Sequence, residues 1–197
     1  MSDKIQDIYR IPSTRAEWWN YGWNAAYFVT ICIQNRKCYF GDIIDGQMKC
    51  SDIGIIAKQE WLKTPAIRTD MNIKLDEFIA MPNHFHGIII IGENQYNKRN
   101  AATNDDDDVE TPCIASPQPT NTQPYTKNKF APQSKNLASI IRGFKSAVTI
   151  QARLIHAEFA WQSRFHDHII RNEESFQRIS EYIRNNPANW QTDQLHQ

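Results

Sequence analysis

The sequence predicts an α+β fold, in which helices pack on one face of an antiparallel sheet. Segments rich in β-branched and aromatic residues, such as 26–33 and 84–91, are typical of strands, whereas 137–155 and 173–186 place apolar residues at helical spacing. The predicted order of elements, β-β-β-α-β-β-α-β-α, is that of a ferredoxin-like sheet. With 197 residues, of which 41% are apolar, the chain can form one domain with a substantial core.

Most of the strands are predicted in the first half of the chain. Asp45-Gly46 is a typical hairpin turn between two short strands. Ser51 then caps a helix that is expected to stop at Thr64-Pro65, because proline interrupts helical hydrogen bonding. Segment 84–91 is apolar enough to be a central strand. The predicted strands of this half are 26–33, 38–44, 47–50, 72–80 and 84–91.

The second half contributes two helices and one strand. Apolar residues at helical spacing predict a long helix over 137–155, and segment 159–170 is predicted to be a strand. The last helix is expected over 173–186. Asn172 caps this helix and Pro187 ends it.

Between these halves lies a segment of different composition, 93–131. It contains a run of aspartates at 105–108, several prolines and no periodic apolar pattern, which is typical of a flexible insert. We therefore expect one domain, formed by 1–92 and 132–197, with an acidic, proline-rich insert within it. The aspartate run is expected to be solvated rather than part of a site.

Composition disfavours several classes of protein. No stretch approaches the about 18 consecutive apolar residues of a membrane-spanning helix, and the charged N-terminus does not fit a signal peptide. The four cysteines show no CxxC pair, so a disulfide framework or a structural zinc site is not expected, and a cytoplasmic location fits best. The 22 basic residues balance the 22 acidic ones, so no large basic patch is indicated.

The sharpest motif is His84-Phe85-His86, within a predicted strand. Residues two apart on a strand share a face, so both imidazoles project together while Phe85 packs on the other side. Two neighbouring imidazoles make half of a metal site. Taken alone, the motif also fits a pair of structural strand histidines.

A second motif of the same form, His166-Asp167-His168, also falls on a predicted strand. On pattern alone it rivals the first as a metal site. No tyrosine follows it within a helical turn, so a structural or DNA-contacting role is favoured for it.

The last helix carries the second signal for a site. Tyr182 and Asn186 are spaced i, i+4, which places them on the same side of the helix, and Asn186 falls within the apolar stripe. A buried amide needs a partner, which a metal ion would provide if Asn186 were an oxygen ligand. The alternative is that Asn186 caps the helix end and Tyr182 is an interfacial aromatic residue.

Together, a phenol, two imidazoles and an amide oxygen indicate one reaction. A divalent ion, Mg²⁺ or Mn²⁺, can polarise and orient a phosphodiester, and the Tyr182 oxygen can then attack phosphorus to form a phosphotyrosine. That covalent bond retains the energy needed for rejoining, so no nucleotide cofactor is required.

At these positions the sequence resembles the single-tyrosine HUH transposases, and within them the REP-associated tyrosine transposases. The resemblance is carried by MPNHFHGIIII and YIRNNPANW, and it extends over most of the chain except 93–131. It implies a ferredoxin-like palm that cleaves and joins single-stranded DNA next to an imperfect hairpin. By position, His84 and His86 match the metal ligands, Tyr182 the nucleophile and Asn186 a third ligand, with Tyr182 becoming linked to a 5′ phosphate.

Further residues are candidates for contacts to DNA, with a structural role or a solvated surface as the alternative for each. Cationic and imidazole side chains can hold phosphates, and none of these residues carries a sharper signal. The candidates are Arg15, Arg36, Arg142, Lys145 and His168.

Two rival functions stay open at this level. One is a non-catalytic, domesticated nucleic-acid-binding regulator on the same fold, and the other is a metal-dependent hydrolase that uses water instead of Tyr182. The sequence also leaves both a monomer and a homodimer open.

Overall fold

The structure is a computed structural model that describes residues 19–98, 134–193 and 195–196. Each strand and helix begins and ends as follows. The strands are β1 Ala25–Cys32, β2 Gly41–Ile44, β3 Gln47–Cys50, β4 Ile73–Met81, β5 His84–Ile91 and β6 His166–Ile170. The helices are α1 Asp52–Ile67, α2 Leu137–Ile155 and α3 Glu173–Asn185, with short 3-10 turns at Gln34–Arg36, Thr69–Met71 and Trp190–Thr192.

Four strands form the main sheet in the order β4-β5-β1-β6, and all neighbouring pairs are antiparallel. β5 is therefore an interior strand, as its apolar sequence predicts. β2 and β3 form a separate hairpin around Asp45 and Gly46, which both have positive φ. The predicted α+β class with an antiparallel sheet is confirmed, and the strand order is the ferredoxin-like one.

The larger core lies between the sheet and the helices α1 and α2. Alternate residues of the interior strands face these helices, among them Tyr27, Val29 and Phe85, all fully buried. Trp61 of α1 packs directly on Gly87, where an added Cβ would lie only 2.7 Å from the indole Cζ2. Gly87 is therefore required by the close approach of this ring, which holds α1 against β5.

The third helix lies on the opposite face of the sheet, which corrects the expectation that the helices share one face. Ile183 of α3 packs with Ala26, Ile88 and Ile170, and partly buried Ile179 adds to this second cluster. The physical reason is the sequence of β5, whose consecutive isoleucines project alternately to both faces of the sheet and make both faces apolar. Both faces of this interior strand must be covered.

Two predicted boundaries differ from the structure. The strand expected over 159–170 starts only at His166, because the preceding residues form an irregular segment, which contacts the end of β1 through a bridge between Ile33 and Trp161. Helix α1 continues past Pro65 to Ile67, where Arg68 N–H donates to the Pro65 carbonyl and closes the last turn.

The first residues of the predicted insert belong to a turn that packs on the domain. The buried Asn94 side chain donates to the carbonyls of Met71 and Gly92, and its carbonyl accepts from Tyr96 N–H. Residues 99–131, which carry most of the predicted insert, lie outside the described residues. None of the described helices is long and apolar enough to cross a membrane.

Candidate active site on the α3 face of the sheet

The motif His84-Phe85-His86 opens strand β5, directly after the Pro82-Asn83 turn. Phe85 is fully buried in the core under α1 and α2, and both histidines project to the other face of the sheet. His84 is 0% exposed and His86 is 2% exposed, so neither imidazole is a solvated surface group. The strand pattern thus places two imidazoles together in a nearly dry environment.

Hydrogen bonds orient both rings so that their Nε2 atoms meet. The Asn83 amide donates to the Leu195 carbonyl, which turns its Oδ1 toward His84 Nδ1 at 2.8 Å. Since an amide oxygen only accepts, His84 Nδ1 carries the proton and Nε2 keeps a lone pair. His86 Nδ1 lies 2.9 Å from Thr30 Oγ1, and the two Nε2 atoms are 2.9 Å apart.

Both imidazoles are held in the neutral form. Burial and the nearby positive charge of Arg36 lower the pKa of His84 to about 3. Burial and the adjacent His84 lower the pKa of His86 well below its usual value. The neutral imidazole, which keeps a lone pair on one ring nitrogen, is the form that binds a metal ion.

Tyr182 of α3 reaches the same point. Its hydroxyl lies 3.3 Å from His86 Nε2, and its ring contacts the edge of Phe28, which itself stacks on the His86 ring. The side chain is 45% exposed, so the phenol is open to a substrate. Burial and the charge of Asp193 raise the pKa of Tyr182, so the phenol is neutral until a proton acceptor is provided.

The predicted ligand Asn186 lies in the site, together with an acidic residue that the sequence analysis missed. Asn186 is 2% exposed, and its amide donates to Asp193 Oδ2 at 3.0 Å. Its Oδ1 is buried without a hydrogen-bond partner among the described residues. One ligand atom each from His84, His86 and Asp193 lie within 4.8 Å of one another.

No sequence pattern indicated that Asp193 belongs to the site. It follows the 3-10 turn Trp190–Thr192, beyond the proline that ends the last helix, and belongs to no periodic element. The turn brings it back to the site, where Trp190 packs beside the His84 ring. Asp193 Oδ1 also accepts from Leu195 N–H, which fixes the carboxylate.

These side chains fit a divalent cation. Two nitrogen ligands about 2.1 Å from one ion and at right angles to each other would be about 3.0 Å apart, close to the distance between the two Nε2 atoms. A carboxylate and an unpaired amide oxygen add the oxygen ligands that Mg²⁺ and Mn²⁺ prefer. Without a cation, the Asn186 oxygen would be an unsatisfied buried acceptor.

The second histidine motif occupies a different environment. His166 and His168 lie on the edge strand β6 and are both exposed. In register, His166 lies opposite Thr30 and His168 opposite Phe28, so both project on the α3 face. A cavity of about 530 Å³ lies beside this motif at the start of α3, and it is lined in part by His168, Arg171, Ser175 and Arg178.

The other predicted DNA contacts are scattered. The Lys145 ammonium donates to the carbonyls of Gln162 and Arg164, and burial lowers its pKa to about 8, so it holds the segment before β6. Arg142 is exposed on α2, in the layer on the far side of the sheet from the histidines. Arg15 lies outside the described residues. Arg36 lies beside the site, where its charge acts on His84.

Comparisons with known proteins identify similar sequences and folds. No family model matches the sequence. A protein of Haemophilus influenzae, described only as uncharacterized, is 38% identical over 190 residues, which cover 96% of this chain and 94% of that protein. The structure of a REP-associated tyrosine transposase bound to a REP hairpin is similar with a TM-score of 0.54 and 15% identity, covering 91% of this chain and 74% of that one. The chain therefore belongs to the family of the Haemophilus influenzae protein, and its fold is that of a REP-associated tyrosine transposase.

Proposed function

We propose that this chain is a transposase-type endonuclease and strand transferase that acts on single-stranded DNA beside a hairpin. One observation carries the proposal: the Tyr182 hydroxyl lies 3.3 Å from His86 Nε2, which is 2.9 Å from His84 Nε2. A nucleophile and a pair of metal-ligating groups in contact are what phosphoryl transfer to tyrosine requires.

In the proposed reaction, the Tyr182 oxygen attacks the phosphorus of a phosphodiester and the bond from phosphorus to the 3′ oxygen breaks. The phenol loses its proton to an acceptor, and the departing 3′ oxygen gains one. The product is a 5′-phosphotyrosine and a free 3′ hydroxyl. Attack by another 3′ hydroxyl reverses the step and rejoins the strands, which accounts for catalysis without a nucleotide cofactor.

His84, His86 and Asp193 would hold Mg²⁺ or Mn²⁺, and Asn186 would be a further ligand through its unpaired Oδ1. When bound, the ion supplies Lewis acidity at a phosphoryl oxygen. The protein provides the rest of the arrangement. Phe28 holds the Tyr182 ring edge-on, and Asn186 orients the Asp193 carboxylate through its amide.

The similarity in fold supports the proposed substrate class. The REP-associated tyrosine transposase was solved bound to a REP hairpin, which supports a hairpin-flanked strand as the substrate here. Tyr182 and both histidines come from one chain and already meet, so the proposed site does not require a second copy of the chain.

The test is a covalent adduct assay with a pool of single strands that carry a hairpin with randomised stem and flanks. In the presence of Mn²⁺, the wild-type protein should retain the label of the 5′-phosphate fragment on a denaturing gel. Tyr182→Phe should bind the pool but form no adduct. Tyr96→Phe is the matched control, because Tyr96 is 47% exposed and lies away from the histidines, bonded to Asp70.

The rival functions give different results. A hydrolase that uses water would cleave the strands without an adduct, and its activity would survive Tyr182→Phe. A regulator would bind the strands and leave them intact. Either result with the wild-type protein would contradict the proposal.

A further inference from the structure

Arg36 follows strand β1 in the 3-10 turn Gln34–Arg36, and this turn is anchored at the end of the site. Cys32, the last residue of β1, pairs in register with His84. The next residue, Ile33, donates its N–H to the Asn83 carbonyl at 2.9 Å, and Gln34 donates to the Ala160 carbonyl. The position of the turn is thus fixed relative to the histidine that opens β5.

The backbone of this turn is strained. Asn35 and Arg36 have φ values of 55° and 53°, in the left-handed region that residues other than glycine rarely adopt. Such backbone is unfavourable for residues with a side chain, and it is concentrated at functional sites. Because such backbone persists only where the surroundings hold it, the conformation marks this turn as a candidate functional element.

The Arg36 side chain has no partner of opposite charge in the part of the chain that the structure describes. Among those residues its buried Nη1 has no hydrogen-bond partner, and Arg36 makes no ion pair. The residue as a whole is partly exposed, so an incoming ligand can reach it. A buried guanidinium nitrogen without an acceptor is costly, and an anion would remove that cost.

The charge of Arg36 acts on two residues at this end of the site. Burial lowers the pKa of His84, and the positive charge of Arg36 lowers it further. Burial raises the pKa of the Cys32 thiol, and the charge of Arg36 partly offsets that rise. Cys32 and His84 are neighbours across β1 and β5. The backbone register thus puts the turn that carries Arg36 at the His84 end of these strands, and the charge of Arg36 acts on both residues.

We propose that Arg36 binds a non-bridging oxygen of the phosphodiester that Tyr182 attacks. This inference rests on the proposed function and assigns one further residue to it. A planar guanidinium suits a phosphate, and its donors stabilise the charge that develops on the equatorial oxygens as the phosphoryl group is transferred. Arg36 is thus a contact to the reacting phosphate, not to the hairpin backbone.

The first experiment measures single-turnover cleavage of a strand selected from the hairpin pool. Arg36→Gln should slow cleavage about 10- to 100-fold, because a hydrogen-bonded charge is lost from the transition state. Arg36→Lys should recover part of the rate. The control is Arg153→Gln, which removes the same charge from α2, where Arg153 donates to the Phe159 carbonyl.

A methylphosphonate at the cleaved linkage separates a phosphate contact from a structural role. This neutral linkage removes the oxygen charge that Arg36 binds. The ratio of wild-type to Arg36→Gln rates should therefore fall close to one on this strand. A ratio that stays the same on both strands, or an Arg36→Gln protein that cleaves the ordinary strand like the wild type, would overturn the inference.

Binding provides a readout that does not depend on cleavage. For single strands, each phosphate contact contributes about 0.7 to the slope of log K against log salt concentration. Arg36→Gln should lower that slope by about this amount for an oligothymidine strand, and Arg153→Gln should leave it unchanged. If the slope falls but the wild type forms no adduct, the phosphate contact stands and the proposed function fails. An unchanged slope would contradict the contact itself.

Discussion

The two histidine motifs have the same pattern and very different surroundings. His84 and His86 lie on an interior strand and are buried, whereas His166 and His168 lie on the edge strand β6 and are exposed. Both pairs project on the α3 face, and Thr30 of β1 lies opposite both His86 and His166. The difference therefore comes from the position of each strand in the sheet, not from the local sequence.

Three partners distinguish the first motif. Asn83 and Thr30 lie within hydrogen-bond distance of the outer ring nitrogens, and Tyr182 lies beside the pair. A metal-ligating imidazole needs such a partner to fix its ring and its tautomer. A pair of histidines separated by one residue on a strand therefore becomes a candidate metal site only where neighbouring strands and a helix surround it.

The largest effect expected from this comparison is on cleavage. His86→Ala should reduce single-turnover cleavage of a hairpin-flanked strand by about 10³-fold, since metal-ion catalysis contributes several kcal/mol. His168→Ala, the matched change in the exposed motif, should alter the rate by only a few fold. Equal losses in the two variants would mean that the exposed motif is part of the reacting centre.

Metal affinity should separate the motifs in the same way. In calorimetric titration with Mn²⁺, the wild type should bind one ion, and His84→Ala should weaken binding by at least about 100-fold because one of few ligands is lost. His166→Ala should titrate like the wild type. Dialysis against EDTA should abolish cleavage and added Mn²⁺ should restore it; activity that persists after dialysis would argue against a metal site.

Thr30 allows a finer comparison, because it lies opposite a histidine of each motif. Thr30→Val keeps the shape but removes the hydroxyl near His86 Nδ1, and partners of this kind are worth about 10- to 100-fold in metal affinity. The Mn²⁺ titration measures this loss, and Thr30→Ser should retain most of the affinity. A valine variant with full affinity would show that the hydroxyl does not orient His86.

The smallest effect concerns the stability of the two strands. At Gly87, an added methyl would lie 2.7 Å from Trp61 Cζ2 and 3.1 Å from Cε2, so Gly87→Ala should lower the free energy of unfolding by about 1–3 kcal/mol. His166→Ala, at an exposed edge position, should change it by no more than about 0.5 kcal/mol. Urea unfolding measures both, and a neutral Gly87→Ala would mean that Trp61 can move away freely.

Much of the fold was predictable because its signals are local. The hairpin around Asp45-Gly46, the interior strand 84–91 and the caps Ser51 and Asn172 involve residues a few positions apart. The predictions failed where distant contacts decide. The segment before β6 is irregular because Lys145 and Ile33 hold it, and no periodicity reveals such partners.

The two halves of the candidate site could be predicted from local sequence patterns. Strand alternation puts His84 and His86 on one face, and helical spacing puts Tyr182 next to Asn186. Packing between distant segments was needed to show that these halves meet, that α3 covers the second face of the sheet, and that Asp193 lies beside the histidines. The reason is physical: periodicity fixes the direction of neighbouring side chains, but which surfaces come together depends on packing across the whole sheet.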